Sequence, residues 1–121
     1  MIARGGRLLA ALLAATLVGY IFLRAAAPLA GGGIPEPWDK IAHLCGYGTI
    51  AGLLIIALVA RARWWVFGFT VLIGALDELN QSRFPGRVAD PVDLAADALG
   101  ALLAVTIYRA LVCRRLRLAH Y

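Results

Sequence analysis

The chain lacks most of the patterns on which soluble enzymes build covalent chemistry. It has no G-x-S-x-G elbow, no cysteine nucleophile motif, no glycine loop of the phosphate-cradling type and no H-E-x-x-H pair, so a nucleophilic hydrolase and a compact zinc hydrolase are unsupported. Internal repeats and low-complexity tracts are missing too. Charge is scarce, at 16% of the 121 residues, and acids are scarcest, with seven against twelve basic residues. What fills the chain instead is apolar: 62% of residues are hydrophobic and the mean hydropathy is +0.80, whereas soluble domains are about half apolar. Length allows one domain, 1–121, and composition makes it an integral membrane protein. The net charge of +5 does not imply nucleic acid, because the basic residues flank apolar runs, where positive charge sets topology. Cys45 and Cys113 fall on different expected helices near opposite membrane faces, too far apart for a disulfide.

Four spans are expected, giving an all-α bundle of four transmembrane helices. The first follows Arg4 and Arg7 and includes sixteen apolar or small residues, Leu8–Leu23. With Arg24 snorkelling and Ala25–Ala27 added it reaches the ~20 residues that a crossing requires. An A-x-A cleavage site at Ala25–Ala27 is the alternative, but the apolar run is long for a signal peptide and Pro28 would follow the cut. The Gly and Pro cluster Gly31–Pro37 forces a turn. The second span is expected over Ile41–Ala60, and Arg61–Arg63 forms a short connection to the interfacial indoles Trp64 and Trp65. Only thirteen residues separate Arg63 from Asp77, too few to cross at 1.5 Å each, so the third span must include Asp77, Glu78 and Gln81. Phe84-Pro85-Gly86 reads as a turn. The fourth span starts at Asp90-Pro91, runs to about Arg109 and leads into a basic tail. Gly48 with Gly52, and Gly100 with Ala104, have the four-residue spacing of close helix packing.

Eight of the twelve basic residues, Arg4, Arg7, Arg61, Arg63, Arg109, Arg114, Arg115 and Arg117, fall on the side of the termini. The positive-inside rule therefore places both termini in the cytoplasm. All seven acids fall on the other side, five of them within Leu76–Asp97.

Those acids divide by position. Asp90 as cap, Pro91 as first helical residue and Asp93 on the first turn make a good helix start. Asp77 reads as a solvated helix end. Asp39, His43 and Tyr47 recur every four residues, so they share a face of the second span. Capping is the simpler account of Asp39 alone. For the set, an interfacial location of Lys40 and His43 competes evenly with a paired or functional role, since an ionisable His at the edge of hydrocarbon usually has a partner or a task. Glu78, one turn inside the third span beside Gly74 and Gln81, is costly there unless paired. Arg87 is placed to clamp Glu78 or an anionic ligand group. Asp97, one turn deeper than Asp93, is not explained by capping. Together Asp39, His43, Glu78, Gln81, Arg87, Asp93 and Asp97 are the expected ligand-binding set, lining one outward pocket. His43, Glu78 and Asp97 are the candidates for acid–base catalysis. One His with carboxylates is compatible with a divalent metal, but without compact ligand spacing a metal site is not favoured and the cofactor is left open.

Three blocks then match something specific. Asp39, Lys40, His43, Tyr47 and Gly48 form D-K-x-x-H with an aromatic and Gly; Asp77, Glu78, Gln81, Pro85, Gly86 and Arg87 form D-E-x-x-Q with P-G-R; Asp93, Asp97 and Gly100 complete the series. In this order, across about 39–104, the chain resembles the VanZ-like family of small bacterial membrane proteins, whose namesake is associated with teicoplanin resistance. Asn80 and Ala104 depart from the family pattern, where a bulky residue and a second glycine are common. The resemblance implies a multi-pass helical protein of the bacterial plasma membrane acting at the cell envelope, and the charge count places its motif face on the extracytoplasmic side. Three functions compete: an envelope protein binding a lipid headgroup, cell-wall precursor or glycopeptide; an intramembrane enzyme using His43 with Glu78 or Asp97 on a lipid-linked or phosphorylated substrate; and a carrier or assembly subunit, which with four short helices would need a homo-oligomer.

Overall fold

A computed structural model describes residues 3–26, 33–58 and 63–118, and among them all regular structure is helical. Four helices follow one another: α1 (Arg4–Ala25), α2 (Trp38–Leu58), α3 (Arg63–Gln81) and α4 (Pro91–Leu118). α1, α2 and α4 are long and apolar enough to cross a membrane. α3 is not, because its last turns carry Asp77, Glu78, Asn80 and Gln81. Those polar residues do fall within the helix, as its short apolar run requires. Expectations for Ala27, Gly31, Arg61, Ala62 and the residues beyond Leu118 lie outside the described residues.

Two expected boundaries move. α2 starts earlier, at Trp38, so Asp39 sits inside the first turn rather than capping it. α4 does not stop near Arg109 but continues to Leu118, since Arg and Leu are good helix formers and no Gly or Pro interrupts them. Its 28 residues measure about 42 Å, more than the ~30 Å hydrocarbon thickness, which carries its Arg-rich end beyond the apolar layer.

α2 is the centre of the bundle. It touches the other three helices and packs most extensively on α4, while α1 meets α2 and α3 but not α4. The α2–α4 approach is close because two glycines face each other: a Cβ on Gly100 would lie 2.1 Å from the Leu44 carbonyl oxygen, and one on Gly48 would lie 3.2 Å from the Gly100 carbonyl oxygen. Gly52 faces open space, so only one residue of each expected small-residue pair makes this contact, with Ala104 packing at the core margin instead. The dry core, Ala51, Ile55, Val66, Ala101 and Val105, lies toward one end of α2, α3 and α4. Large side chains such as Leu8, Leu12, Leu72, Leu103 and Ile107 point outward. That arrangement suits lipid as the solvent, with small residues between helices and large apolar ones outside. At the same end Arg7 Nε donates to the Ala57 carbonyl oxygen (3.1 Å), satisfying an orphan acceptor near the C-terminus of α2. The Arg109 guanidinium lies over the Trp64 ring, 5.1 Å from its centroid, a cation–π contact between α3 and α4.

Candidate functional site

The opposite end of the bundle is polar. The α3–α4 connection is anchored by a type II turn in which the Arg87 N–H donates to the Phe84 carbonyl (3.2 Å). Pro85 fills its first central position and Gly86, at φ +80°, takes the left-handed one that side chains disfavour. The chain then enters α4 through Asp90, whose Oδ1 accepts the Val92 N–H at 2.8 Å. This is the expected cap. Glu78 supports it from α3: Oε2 accepts the Asp90 N–H at 2.7 Å. The paired, inward-facing role expected of Glu78 is thus present, with a backbone amide as the partner.

Two side chains of α2, Lys40 and His43, organise the acids. Lys40 Nζ lies 2.7 Å from Asp90 Oδ2, is hydrogen-bonded to Asp93, and has Glu36 at 3.3 Å and Asp39 at 3.6 Å. It is a hub tying α2 to the start of α4, not merely an interfacial residue, and Asp93 serves this tie as well as the helix start. The Lys40 ammonium, aided by the Val92 amide, holds the Asp90 carboxyl below the ordinary carboxylate range. One turn deeper, His43 Nδ1 lies 2.8 Å from Asp97 Oδ1, and Nε2 lies 3.8 Å from Asp93 Oδ2. The His43 ring stacks parallel on Tyr47, with centroids 6.1 Å apart.

Asp77 corrects the sequence reading. It is not a solvated helix end but 1% exposed, close to Glu78 at 5% and Asp97 at 0%. It points into the bundle, where Gln81, one turn on, donates through Nε2 to Asp77 Oδ2 at 3.0 Å. Arg87 does not clamp Glu78: its Nη1 donates to Gln81 Oε1 at 3.5 Å and its Nη2 to the Arg24 carbonyl at 3.1 Å. The guanidinium therefore satisfies the C-terminal end of α1, which Asn80 also reaches through the Phe22 carbonyl (3.4 Å).

Three buried polar atoms have no hydrogen-bond partner among the described residues, Glu78 Oε1, Arg87 Nε and Asp97 Oδ2, while the Tyr47 hydroxyl and Asp77 face each other beside them. Unpartnered buried groups are costly to a fold. A cavity of about 470 Å³ opens beside them, with Leu17, Tyr20 and Ile21 of α1 on one wall and Asp39, His43, Asp77, Gln81 and Arg87 on the other. Of the seven residues expected to line one pocket, Asp39, His43, Gln81 and Arg87 do so, while Glu78, Asp93 and Asp97 lie behind His43. Lys40, Tyr47 and Asp77 belong to the cluster without having been in that set. Their positions inside the D-K-x-x-H and D-E-x-x-Q blocks were the available signal.

No curated protein and no solved structure is significantly similar to the chain. A family model described as VanZ/LLP1 matches residues 8–114, a span containing all four helices in large part and every residue of the polar cluster. On that match the chain belongs to the VanZ family.

Proposed function

We propose that this VanZ-family membrane protein binds an amphipathic envelope ligand at the extracytoplasmic end of a four-span bundle. The ligand class is a lipid headgroup, a lipid-linked cell-wall precursor or a glycopeptide, through which the protein would affect teicoplanin susceptibility. The observation that carries this reading is the two-sided cavity: a wall from α1 that is aliphatic and aromatic up to Arg24, opposite Asp39, His43, Gln81 and Arg87. An apolar lining with a few convergent polar groups is the usual composition of a small-molecule site. Arg87 is half-buried and its Nε is unpartnered, which favours an anionic group on the ligand. Outward placement rests on the positive-inside count, and α3 spans in this reading because its polar turns are shielded by α2 and α4. Extraction of the full chain in native lipid discs followed by mass spectrometry tests it. A specific amphiphile should co-purify with the wild type and be depleted in Gly46→Leu, which fills the cavity from α2 without touching a charge. Equal bulk-lipid composition in both would count against the proposal.

A second reading follows from His43. It lines the cavity while Nδ1 lies 2.8 Å from Asp97 Oδ1, the relation of a general base to the carboxylate that orients it. Turnover of a lipid-linked or phosphorylated substrate by purified protein, abolished by His43→Ala, would favour an enzyme over a binder.

A further inference from the structure

The residues behind the cavity wall form a group of their own. We propose that His43, Glu78 and Asp97 constitute a site for a divalent first-row metal ion such as Zn²⁺ or Mn²⁺. Each supplies a ligand atom, and these atoms all lie within 4.8 Å of one another. The three come from α2, α3 and α4 respectively, so the positions are fixed by the close packing of the bundle and not by one flexible loop. Metal–ligand bonds of about 2.0–2.2 Å put the ligand atoms of a tetrahedral site about 3.4 Å apart. Inward movement of the three side chains lets them converge on one ion.

The proximity of two acids would not by itself make a site, but the bonding of these acids is incomplete in a particular way. Each carboxylate has one oxygen committed and the other free. Glu78 Oε2 accepts the Asp90 N–H while Oε1 is buried without a partner. Asp97 Oδ1 faces His43 Nδ1 while Oδ2 is buried without a partner. The free Asp97 oxygen is directed at α3, where it would lie 2.7 Å from a Cβ built on Gly74. Gly74 is one turn before Glu78, so both free oxygens occupy the same face of α3. Counter-charge is also short. Lys40 is taken up by Glu36, Asp39, Asp90 and Asp93, Arg87 faces Gln81 and Arg24, and among the described residues Glu78 has no ion-pair partner. A divalent cation would supply the missing positive charge and the missing bonds together.

One imidazole with two carboxylates is a borderline-to-hard donor set, suited to Zn²⁺, Mn²⁺ or Fe²⁺ and not to thiophilic metals. Binding exchanges the Nδ1–Asp97 hydrogen bond for two bonds to the ion and requires Nδ1 to be unprotonated. The Nε2–H is then free to turn toward Asp93 Oδ2, 3.8 Å away, in the outer-shell arrangement common to metal-bound histidines. Because His43 also forms cavity wall, a remaining coordination position could open toward the cavity. The site goes beyond the binding reading and does not depend on it.

The test uses the full chain purified without chelator and its metal content, then the EDTA-stripped chain titrated with Zn²⁺ and Co²⁺. Expected are about one ion per chain, visible ligand-field absorption with Co²⁺, and a rise in Tm of about 5 °C with excess Zn²⁺, the linkage expected of an ion that binds only the folded state. Glu78→Gln and His43→Ala should lose all three signals. Asp39→Asn should keep them, which separates this site from the alternative grouping of Asp39, His43 and Asp93. A wild type that purifies metal-free, and when stripped gives neither the Co²⁺ bands nor a Tm shift, overturns the proposal whether or not the variants fold. Loss of binding in Asp39→Asn overturns the assignment to Glu78 and Asp97.

Discussion

Asp97 fits its position because residue 74 has no side chain. A Cβ there would come within 2.7 Å of Asp97 Oδ2 and 3.3 Å of its Cγ, closer than packed atoms tolerate. Gly74→Ala should therefore displace the carboxylate and weaken its contact with His43, although no charge is altered. Ligand retention should fall more than membrane abundance does; unchanged retention would mean that the His43–Asp97 geometry is irrelevant to binding. Asp90 makes a prediction of a different kind. Its carboxyl is held low in the folded state by the Lys40 ammonium, with Glu36, Asp39, Asp93 and the Asp90-linked Glu78 as the other acids nearby. A depressed folded-state pKa contributes stability above the unfolded value, near 3.9, that is lost as pH falls through the folded value. Acid melts of the wild type should lose this contribution in that window, and Asp90→Asn should already lack it at neutrality. At this scale the sequence was readable where a residue conflicted with its surroundings. Glu78 and Asp97 were too deep to be capping residues, and His43 was too polar for a membrane edge. Asp77 was expected within the third span but read as solvated, because nothing local shows which way a carboxylate near a helix end faces once the other helices pack around it. Lys40 was underweighted because its partners Asp90 and Asp93 lie about fifty residues away, and no periodicity links them.

The contact between α2 and α4 sets the register that brings Lys40 to Asp93 and His43 to Asp97. It depends on Gly100, where an added Cβ would lie 2.1 Å from one backbone oxygen and 3.0 Å from the Gly48 nitrogen. Backbone cannot yield as a side-chain tip can, so Gly100→Ala must push the helices apart. The expected cost is about 1–3 kcal/mol, as for other overpacked interiors, read as lower Tm and reduced membrane abundance. Gly52→Ala, facing open space, should be tolerated, and equal damage from both changes would refute this account of the interface. Gly86→Ala, at φ +80°, should strain the turn by about 1–2 kcal/mol and loosen Arg87 from α1. The helices themselves were legible from apolar run lengths and from the shortage of residues before Asp77. The small-residue spacing pointed to α2 and α4, but it could not say which glycine of each pair meets the other helix, since that depends on how the helices are rotated about their axes. The end of α4 was missed because a charge cluster was read as a stop, whereas arginine sustains a helix that leaves the apolar layer.

As a whole the molecule is polarised along its axis: a dry core and most of the arginines at one end, all seven acids at the other. The arginine count predicts the direction of insertion. With Cys45 replaced by Ala, the exposed Cys113 should react with an impermeant maleimide only after the membrane is opened from the cytoplasmic side; labelling of intact cells would reverse the topology. The central claim is that the polar end is a binding site and not only a means of joining helices. The most direct measurement is an alanine panel at His43, Glu78, Gln81, Arg87 and Asp97, scored in parallel for membrane abundance and for retained amphiphile. The account predicts that His43→Ala and Gln81→Ala keep near wild-type abundance while retained ligand falls at least about tenfold, the ~1.4 kcal/mol of a contact or two. If abundance falls with every substitution and the ligand bound per surviving molecule does not change, the cluster is structural and the claim is contradicted.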